Sequence, residues 1–257
     1  MLHLSTGSKA NRSFNYANLF FFPKDSSNSP LKQRPITVSN TDNRVLANVI
    51  RRTITPAVCA ILNKTQKAFI PGSSIDDNIN YFNKLFYQRL HNGNDYHLLL
   101  HDFEKAYDSI SRSYLMALLQ KIGIPDWILL VIRTFFRQNI AFPILKSPHD
   151  VKITMTNGLK QGCPLSPLFF IIALDPLLEQ LRRSDVCDER AFCDDLGIGS
   201  TTLADIAQTI PLIEKFNQAS GARTNNRKVF LVSSRSVQPT ELKEAGFPKR
   251  WIHDSSH

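Results

Sequence analysis

The sequence predicts an α+β fold in which helices cover sheets built from strands that lie far apart in the chain. Three observations indicate it: apolar runs of strand length near 96–103 and 228–233, helical periodicity between them, and a strand–helix–strand order that requires non-local pairing. The chain has 257 residues, of which 42% are hydrophobic. It can therefore bury a sizeable core in one large domain or in two coupled subdomains.

Amphipathic periodicity predicts the helices, and capping or breaking residues set their ends. Ser111 or Ser113 can cap one helix, which Gly123 ends, and Pro125 suits the first turn of the next helix. The turn residues at 71–74 precede another helix. The predicted helical segments are 36–62 (interrupted by Pro56), 75–90, 111–122, 125–135, 167–183 (bent near Pro176) and 203–220 (ended by Gly221).

Strands are predicted where apolar residues run over short stretches between turns. The run at 96–103 carries an acid, Asp102, near its end, and 192–198 is a turn between two short strands. The polar stretch 24–30 is predicted to be a surface loop. The remaining predicted strands are a hairpin of 139–146 and 151–156, joined through 147–150, and a final strand at 228–233.

The composition favours an intracellular protein with a polyanionic partner. The formal net charge of +9 is typical of a protein that binds nucleic acid or an acidic membrane surface. The alternative is a soluble protein whose charge only keeps its molecules apart, and composition alone does not exclude it. The four cysteines lack the spacing of zinc ligands, which predicts reduced thiols. No apolar stretch approaches the roughly 18 residues of a membrane span, and no secretory pattern begins the chain. We therefore expect a location in the nucleus or cytoplasm, neither secreted nor in a membrane.

Three acids fit the chemistry of phosphoryl transfer. Two divalent cations about 3.5–4 Å apart can activate an attacking 3′-hydroxyl and neutralise the leaving pyrophosphate, and Mg²⁺ needs only a few carboxylates beside phosphates and water. Asp102 at a strand end, with Asp194 and Asp195 in a turn, supplies these carboxylates if the strands are neighbours in one sheet. Taken alone, an Asp-Asp pair in a turn is more often solvated or a cap.

Several segments resemble, in the family's own order, the motifs of reverse transcriptases of the non-LTR (LINE-type) retrotransposon family. The resemblance covers about residues 20–234, and 161–169 is nearly identical to the family's motif. The segments that carry it are 34–37, 66–72 with 75–79, 102–108, 161–169, 192–195 and 221–228.

The resemblance implies a right-hand polymerase fold with fingers and a palm, in which helices back an antiparallel palm sheet. It implies fingers with an N-terminal extension at 1–95 and a palm at 96–235, with a hairpin at 139–160 that returns toward the fingers. Residues 236–257 are expected to form a truncated tail or the start of a thumb, so that a thumb is largely absent.

The resemblance also implies an RNA-directed DNA polymerase, which is a nucleotidyltransferase that adds deoxynucleotides to a primer 3′-hydroxyl. The expected cofactor is Mg²⁺, with two ions per site and Mn²⁺ as a substitute. The expected partners are an RNA template, a DNA primer and deoxynucleoside triphosphates, and no membrane. Endonuclease and thumb functions are expected to lie outside this chain.

For the metal site, the resemblance implies a role for each acid. Asp102 and Asp194 would bridge both metals, and Asp195 would support the metal on the primer side. The main-chain carbonyl of Phe103 would add an oxygen ligand. Lys228 would protonate the leaving pyrophosphate or screen its charge, unless it is simply part of a basic face.

For the nucleotide, the resemblance implies five further contacts. Arg34 and Arg44 would bind the triphosphate, because a guanidinium can bind phosphate bidentately. Tyr107 would lie under the incoming sugar and clash with a 2′-hydroxyl, although an ordinary core aromatic is the alternative. Gln161 and Gly162 would lie against the nascent base pair, where glycine permits close backbone approach.

Some positions depart from the family's pattern. Ser73 and Ser74 stand where a basic residue is usual, and Lys160 stands where arginine is common. The segment 184–190 is short and acidic and holds few residues that favour strands. We expect it to pair poorly, which would leave the Asp-Asp turn without a partner strand.

This weak segment and the largely absent thumb keep a second hypothesis open: a catalytically impaired remnant, or a maturase-like module that has the same fold and binds RNA without polymerising. The intact acids favour the polymerase, because a non-catalytic binder gains nothing from clustered negative charge beside phosphates. A third hypothesis, a two-metal nuclease on the same acids, leaves Tyr107 and the segment 161–169 unexplained.

Overall fold

The computed structural model contains the mixture of helices and sheets that the sequence predicts, so the α+β fold class is confirmed. It describes residues 11–23, 33–144 and 151–252. The predicted loop 24–30 and the predicted hairpin connection 147–150 lie outside these ranges. Within them, no helix has both the length and the apolar character that crossing a membrane requires.

The elements in the described residues have the following bounds. The strands are β1 (Tyr16–Pro23), β2 (Gln33–Ser39), β3 (His97–His101), β4 (Ile140–Pro143), β5 (Ile153–Thr154), β6 (Asp188–Phe192), β7 (Asp195–Ser200) and β8 (Phe230–Ser233). The α-helices are α1 (Thr41–Ile61), α2 (Ile75–His91), α3 (Ala106–Ser109), α4 (Arg112–Lys121), α5 (Asp126–Phe136), α6 (Ser166–Ser184), α7 (Leu203–Ser220) and α8 (Pro239–Ala245). Short 3₁₀ turns lie at Arg12–Asn15, Asn226–Lys228 and Lys249–Trp251.

The chain forms two compact units, each built from two separate stretches of sequence. The first unit comprises the described residues within 1–60 and 107–173, and the second comprises those within 61–106 and 174–257. Each unit contains a four-stranded sheet of its own.

The sheet of the first unit has the strand order β2–β1–β4–β5. β1 pairs antiparallel with β2 and parallel with β4, and β5 pairs antiparallel with β4 as the predicted hairpin requires. Along β1, Ala17 and Leu19 are buried while Asn18 is exposed, which is the alternation of a sheet with one covered face. Asn15 anchors the start of β1, because its side-chain amide donates to the carbonyl oxygens of Thr134 at 2.6 Å and Arg137 at 2.5 Å.

The prediction that the helix 36–62 begins at residue 36 was wrong. Residues 36–39 belong to β2, and α1 begins only at Thr41. Pro35 and the β-branched residues after it favour extended backbone. They pair with β1, a strand that was not predicted from the sequence. From Thr41 onward the helical prediction is confirmed, but the predicted interruption at Pro56 was wrong, because α1 continues through this residue to Ile61.

α4 and α5 have the predicted capping pattern. The Oγ of Ser111 accepts a hydrogen bond from the N–H of Tyr114 at 3.3 Å, and Gly123 has a φ of +83°. Because this left-handed conformation suits glycine, Gly123 ends the helical region as predicted. α5 begins directly after Pro125. Its buried apolar residues include Ile128, Val131, Ile132 and Phe135.

The sheet of the second unit is antiparallel throughout, with the strand order β6–β7–β3–β8. Its central strands bury Leu99 and Ile198, which lie opposite each other. α2 begins with a capping box in which Ser74 and Asp77 satisfy each other's backbone N–H groups. α7 ends at Gly221, whose φ is +78°, as predicted. The antiparallel sheet and helices that the resemblance implied are therefore present.

Residues 188–192, before the Asp-Asp turn, form a paired strand, so the prediction that the turn would lack a partner strand was wrong. Poor pairing was predicted for 184–190, and of these residues 188–190 belong to β6. Every residue of β6 pairs with β7. The carboxylate of Asp188 accepts hydrogen bonds from the hydroxyls of Tyr81 at 3.0 Å and Tyr96 at 3.2 Å, and the guanidinium of Arg190 lies 3.7 Å from the ring centre of Tyr81. These tertiary contacts accommodate the charged side chains of a strand whose intrinsic propensity is weak.

Glu189 on β6 is a buried acid. Its side chain is 6% exposed, its Oε1 has no hydrogen-bond partner among the described residues, and burial raises its pKa to about 7. Because this pKa lies above the unfolded value of about 4.3, the folded protein binds the proton of Glu189 more tightly than the unfolded chain does. The resulting contribution to the free energy of unfolding is fully present below a pH of about 4.3 and is lost as the pH rises through 7.

At pH 8 we expect the free energy of unfolding of the Glu189→Gln variant to exceed that of the wild type by about 1–3 kcal/mol. The variant is more stable there because its neutral amide avoids burying a charge. At pH 4 the two proteins should differ little. Urea denaturation followed by circular dichroism at both pH values measures the difference. An equal effect at pH 4 and pH 8 would contradict the assignment.

Candidate active site

Three carboxylates of the second unit meet at one end of its sheet. Asp102 directly follows β3, Asp194 lies in the turn between β6 and β7, and Asp195 begins β7. β3 and β7 are antiparallel neighbours whose last pair is His101 opposite Leu196, so Asp102 and Asp195 flank that pair at the same end of the sheet. The two strands are neighbours in one sheet, which is the condition that a carboxylate cluster requires.

The charges of this cluster interact with one another. Burial, followed by the negative charges of Asp194 and Asp102, raises the pKa of Asp195, and the positive charge of Lys228 partly opposes this shift. The ammonium of Lys228 lies 3.5 Å from Oδ2 of Asp102. The Lys228 side chain is 63% exposed, so this ion pair adds little to stability, about 0–1 kcal/mol. Its effect is to neutralise part of the cluster's negative charge.

Asp102 is held by Asn225, which was not among the site residues predicted from the sequence. The side-chain amide of Asn225 donates to Oδ2 of Asp102 at 2.7 Å, and its backbone N–H donates to the carbonyl oxygen of Asp102 at 2.9 Å. The sequence signal for this role was present, because Asn225 lies in the segment 221–228 that resembles a family motif. A pattern of residue types does not show which hydrogen bond an asparagine makes.

The backbone around Asn225 is fixed against the residues that flank Asp102. Phe103 is buried and pairs with Thr224 in an isolated bridge. The hydroxyl of Thr224 also lies 3.0 Å from Nε2 of His101 and 2.9 Å from the side-chain amide of Asn217. His101 is buried, and this burial lowers its pKa to about 4. This network fixes the backbone on either side of Asp102. The role of the Phe103 carbonyl as a metal ligand stays a prediction.

Replacing Asn225 with alanine should lower the free energy of unfolding by about 1–3 kcal/mol, because Asp102 loses a charge-assisted hydrogen bond. The rate of nucleotide addition should fall by roughly 10–100-fold, because the carboxylate loses the group that orients it. The matched control is Asn226→Ala. Asn226 accepts a hydrogen bond from Nε1 of Trp251 at 2.9 Å. Urea denaturation and primer extension measure both variants, and equal losses of activity would contradict a specific role for Asn225.

The donor set of the cluster suits a hard divalent cation. Among the described residues, no group of three or more His, Cys, Asp and Glu side chains is arranged to hold a metal ion by itself. Mg²⁺ in sites that bind nucleotide phosphates is held by one or two carboxylates, with the substrate and water completing its shell. The charges of Asp194 and Asp102, which add to burial in raising the pKa of Asp195, also favour a cation beside it. The carboxylates of Asp102, Asp194 and Asp195 are therefore of the chemical kind that such an ion uses, and their role as its ligands stays a prediction.

Gln161 and Gly162 lie in the first unit, on the backbone that precedes α6. The amide of Gln161 donates to both carboxylate oxygens of Asp108 at 3.3 and 3.2 Å, and its main-chain carbonyl accepts from the N–H and the hydroxyl of Thr37, each at 2.7 Å. Gly162 has a φ of +106°, and a Cβ there would overlap the carbonyl oxygen of Thr37. Glycine is thus required for a contact within this unit, and its approach to a base pair stays a prediction.

Tyr107, Arg34 and Arg44 also belong to the first unit. The ring of Tyr107 stacks on Phe170, with 5.2 Å between the ring centres and 24° between the planes. Arg34 lies on β2 opposite Phe22, Arg44 lies in the first turn of α1, and both arginines are exposed. Their roles toward a nucleotide stay predictions.

Comparison with families of known proteins decides the identity of the fold. Residues 22–248 match the family described as "Reverse transcriptase (RNA-dependent DNA polymerase)". The chain belongs to this family. The resemblance to the non-LTR retrotransposon type is confirmed, and with it the assignment of a nucleotidyltransferase domain of the RNA-directed DNA polymerase class.

Curated relatives of this reverse transcriptase are proteins of mobile elements. It is 25% identical over 202 residues to the transposon TX1 uncharacterized 149 kDa protein of Xenopus laevis, in a match that covers 75% of this chain and 15% of that protein. It is 26% identical over 224 residues to the retrovirus-related Pol polyprotein from type-1 retrotransposable element R2 of Popillia japonica, with coverage of 82% and 31%. The chain thus spans less than a third of the length of either relative.

Solved structures with a similar fold include telomerases. The telomerase of Candida tropicalis in complex with the TWJ fragment of telomeric RNA matches with a TM-score of 0.68 and 12% identity, over 89% of this chain and 42% of that one. The corresponding telomerase complex of Candida albicans matches with a TM-score of 0.64 and 16% identity, over 90% and 44%. At this identity the likeness concerns the fold, and it agrees with the fingers-and-palm class that the motifs implied.

Proposed function

We propose that this reverse transcriptase domain transfers deoxynucleotides to a primer 3′-hydroxyl on an RNA template by two-metal catalysis, as the polymerase core of a non-LTR retroelement. The observation that carries the proposal is that Asp102 and Asp195 flank the last residue pair of β3 and β7, with Asp194 in the adjoining turn, and that the charges of Asp194 and Asp102 act on Asp195. In this proposal residues 1–95 act as fingers and 96–235 as palm.

The acids and Lys228 would divide the chemistry among them. Asp102 and Asp194 would bind two Mg²⁺ ions, with Asp195 and the Phe103 carbonyl as supporting ligands. When bound, the ions would lower the pKa of the 3′-hydroxyl and neutralise the departing pyrophosphate. Lys228, whose ammonium lies 3.5 Å from Asp102, has the charge and exposure to donate a proton to that pyrophosphate or to screen it.

The nucleotide would be recognised by residues that match family motifs of the first unit. Arg34 and Arg44 expose guanidinium groups suited to a triphosphate. Tyr107 would exclude the 2′-hydroxyl of a ribonucleotide, and Gln161 and Gly162 would support the nascent base pair. The proposed partners are therefore an RNA template, a DNA primer and deoxynucleoside triphosphates.

The competing function is an RNA-binding module that has lost its chemistry. One reason for it was the expectation that the Asp-Asp turn lacks a partner strand, and the pairing of β6 with β7 removes that reason. A cluster of three acids also weakens binding to phosphates unless a cation accompanies it. The polymerase is therefore the better proposal.

Primer extension by the purified chain tests the proposal. An oligo(dT) primer on poly(rA) with deoxythymidine triphosphate should be extended in Mg²⁺, and also in Mn²⁺. Circular dichroism and duplex-binding measurements on the same preparation establish that the protein is folded and binds the substrate. A folded, duplex-binding protein that extends the primer in neither ion would support the RNA-binding module instead.

A further inference from the structure

Gln66 is a buried side chain that bonds to the backbone of the Asp-Asp turn. It is 2% exposed. Its Oε1 accepts a hydrogen bond from the N–H of Cys193 at 3.0 Å, and its Nε2 donates to the carbonyl oxygen of the same residue at 3.4 Å. Oε1 also accepts from the N–H of Ala68 at 2.9 Å, which fixes the orientation of the amide. The side chain thus bonds to both main-chain groups of Cys193, as a neighbouring strand would.

The backbone on either side of Gln66 runs along the outer edge of β6. Gln66 forms an isolated parallel bridge with Ala191. The N–H of Lys67 donates to the carbonyl oxygen of Ala191 at 2.9 Å, and the N–H of Ala191 donates to the carbonyl oxygen of Thr65 at 3.0 Å. Residues 65–67 therefore position the side chain of Gln66 against the turn that ends β6.

The turn needs such support because its first residue has an unfavourable conformation. Phe192 pairs with Asp195, so Cys193 and Asp194 form a two-residue loop. Cys193 has a φ of +59°, which is the left-handed region that such loops usually give to glycine or asparagine. A non-glycine residue keeps this conformation only where its surroundings enforce it.

Glutamine is the side chain that matches both groups of Cys193. Its amide offers one donor and one acceptor at the end of two methylenes. Asparagine has the same groups but is one methylene shorter, glutamate lacks the donor and adds a charge, and leucine has neither polar group. The contact therefore depends on the residue type and on the length of the side chain.

We propose that Gln66 is a positioning residue that fixes the Asp-Asp turn and thereby sets Asp194 and Asp195 for binding the catalytic ions. It acts through the backbone of Cys193. Its consequence for catalysis rests on the proposed function, whereas its hold on the turn does not.

Gln66→Leu tests the proposal, with Asn78→Leu as the matched control. Asn78 is also buried, and its amide donates to the carbonyl oxygen of Ala191 at 3.0 Å, so its loss weakens the same strand without removing a bond to Cys193. Hydrogen–deuterium exchange of the peptide that contains the turn should be at least about tenfold faster in Gln66→Leu than in Asn78→Leu. The Mg²⁺ concentration for half-maximal primer extension should rise by roughly 10-fold or more in Gln66→Leu alone.

The outcomes separate this proposal from the proposed function. If the wild type extends no primer, the proposed function fails, while the exchange comparison still decides whether Gln66 holds the turn. Equal exchange and an equal Mg²⁺ requirement in the two variants would overturn the positioning role. Faster exchange with an unchanged Mg²⁺ requirement would overturn its link to ion binding.

Two milder variants cover the case in which Gln66→Leu does not fold. Gln66→Glu keeps an acceptor for the N–H groups of Cys193 and Ala68 but loses the donated hydrogen bond and adds a charge, whereas the shorter side chain of Gln66→Asn loses its reach to Cys193. The turn of both variants should therefore exchange faster than that of the wild type. Gln66→Asn should resemble Asn78→Leu in stability and exceed it in turn exchange. Exchange at the wild-type rate in both Gln66 variants would overturn the proposal.

Discussion

Replacing Asp194 with alanine should reduce nucleotide addition by roughly a thousandfold or more. A bound metal ion supplies several kcal/mol of transition-state stabilisation, and each 1.36 kcal/mol corresponds to about a factor of ten in rate. Binding of the primer–template should be unchanged or slightly stronger, because one negative charge beside the phosphates is removed. Single-nucleotide primer extension and a filter-binding titration measure the two quantities on the same protein.

Asp95→Ala is the matched control for this variant. Asp95 is a carboxylate of the same unit, pairs with Arg235 at 2.9 Å and is partly exposed, so its replacement changes the net charge equally at a surface ion pair. It should leave the rate of addition near that of the wild type. If Asp194→Ala lost binding and activity in equal measure, Asp194 would be a structural residue of the turn and not a ligand.

Replacing Tyr107 with valine should admit ribonucleotides, changing the ratio of kcat/KM for deoxy- over ribonucleotides by on the order of 10–100-fold. The smaller side chain removes the ring that would clash with a 2′-hydroxyl. Because Tyr107 stacks on Phe170, the variant should also unfold more easily, by about 0.5–1.5 kcal/mol for the lost ring contact and more for the lost buried area. Extension with matched deoxy- and ribonucleoside triphosphates measures the ratio.

Tyr107→Phe separates the bulk of the ring from the hydroxyl. It keeps the stacking on Phe170 and should keep the discrimination against ribonucleotides. An unchanged deoxy/ribo ratio in the valine variant, or a collapse of the ratio in the phenylalanine variant, would remove the ring of Tyr107 from the recognition of the sugar.

The parts of this fold that could be predicted from sequence are those in which local pattern and tertiary structure agree. The apolar run of β3 suits a central strand of a sheet, and the acid Asp102 follows at the point where the strand ends. Ser111 and Gly123 bound α4 because capping is a local interaction. For such elements the periodicity of the sequence was sufficient.

The parts that could not be predicted depend on contacts between distant residues. β6 holds few residues that favour strands, and hydrogen bonds from Tyr81 and Tyr96, far away in the chain, accommodate Asp188 within it. β1 was not identified because it depends on β2 and on β4 for its bonds. The same reason applies within the candidate site. Asn225 and Gln66 act through hydrogen bonds that exist only once the sheet has formed.

The central place of β3 has a consequence for how the protein folds. Its two neighbours come much later in the chain, since His97 pairs with Ser200 on one side and with Ser233 on the other. At a synthesis rate of about 5–20 residues per second, β3 waits on the order of ten seconds for its partners. During that time an apolar strand with two open edges can associate with other chains. Ribosome pausing between the codons for Asp102 and Asp195 should therefore lower the yield of soluble enzyme, while each molecule that does fold keeps its full activity.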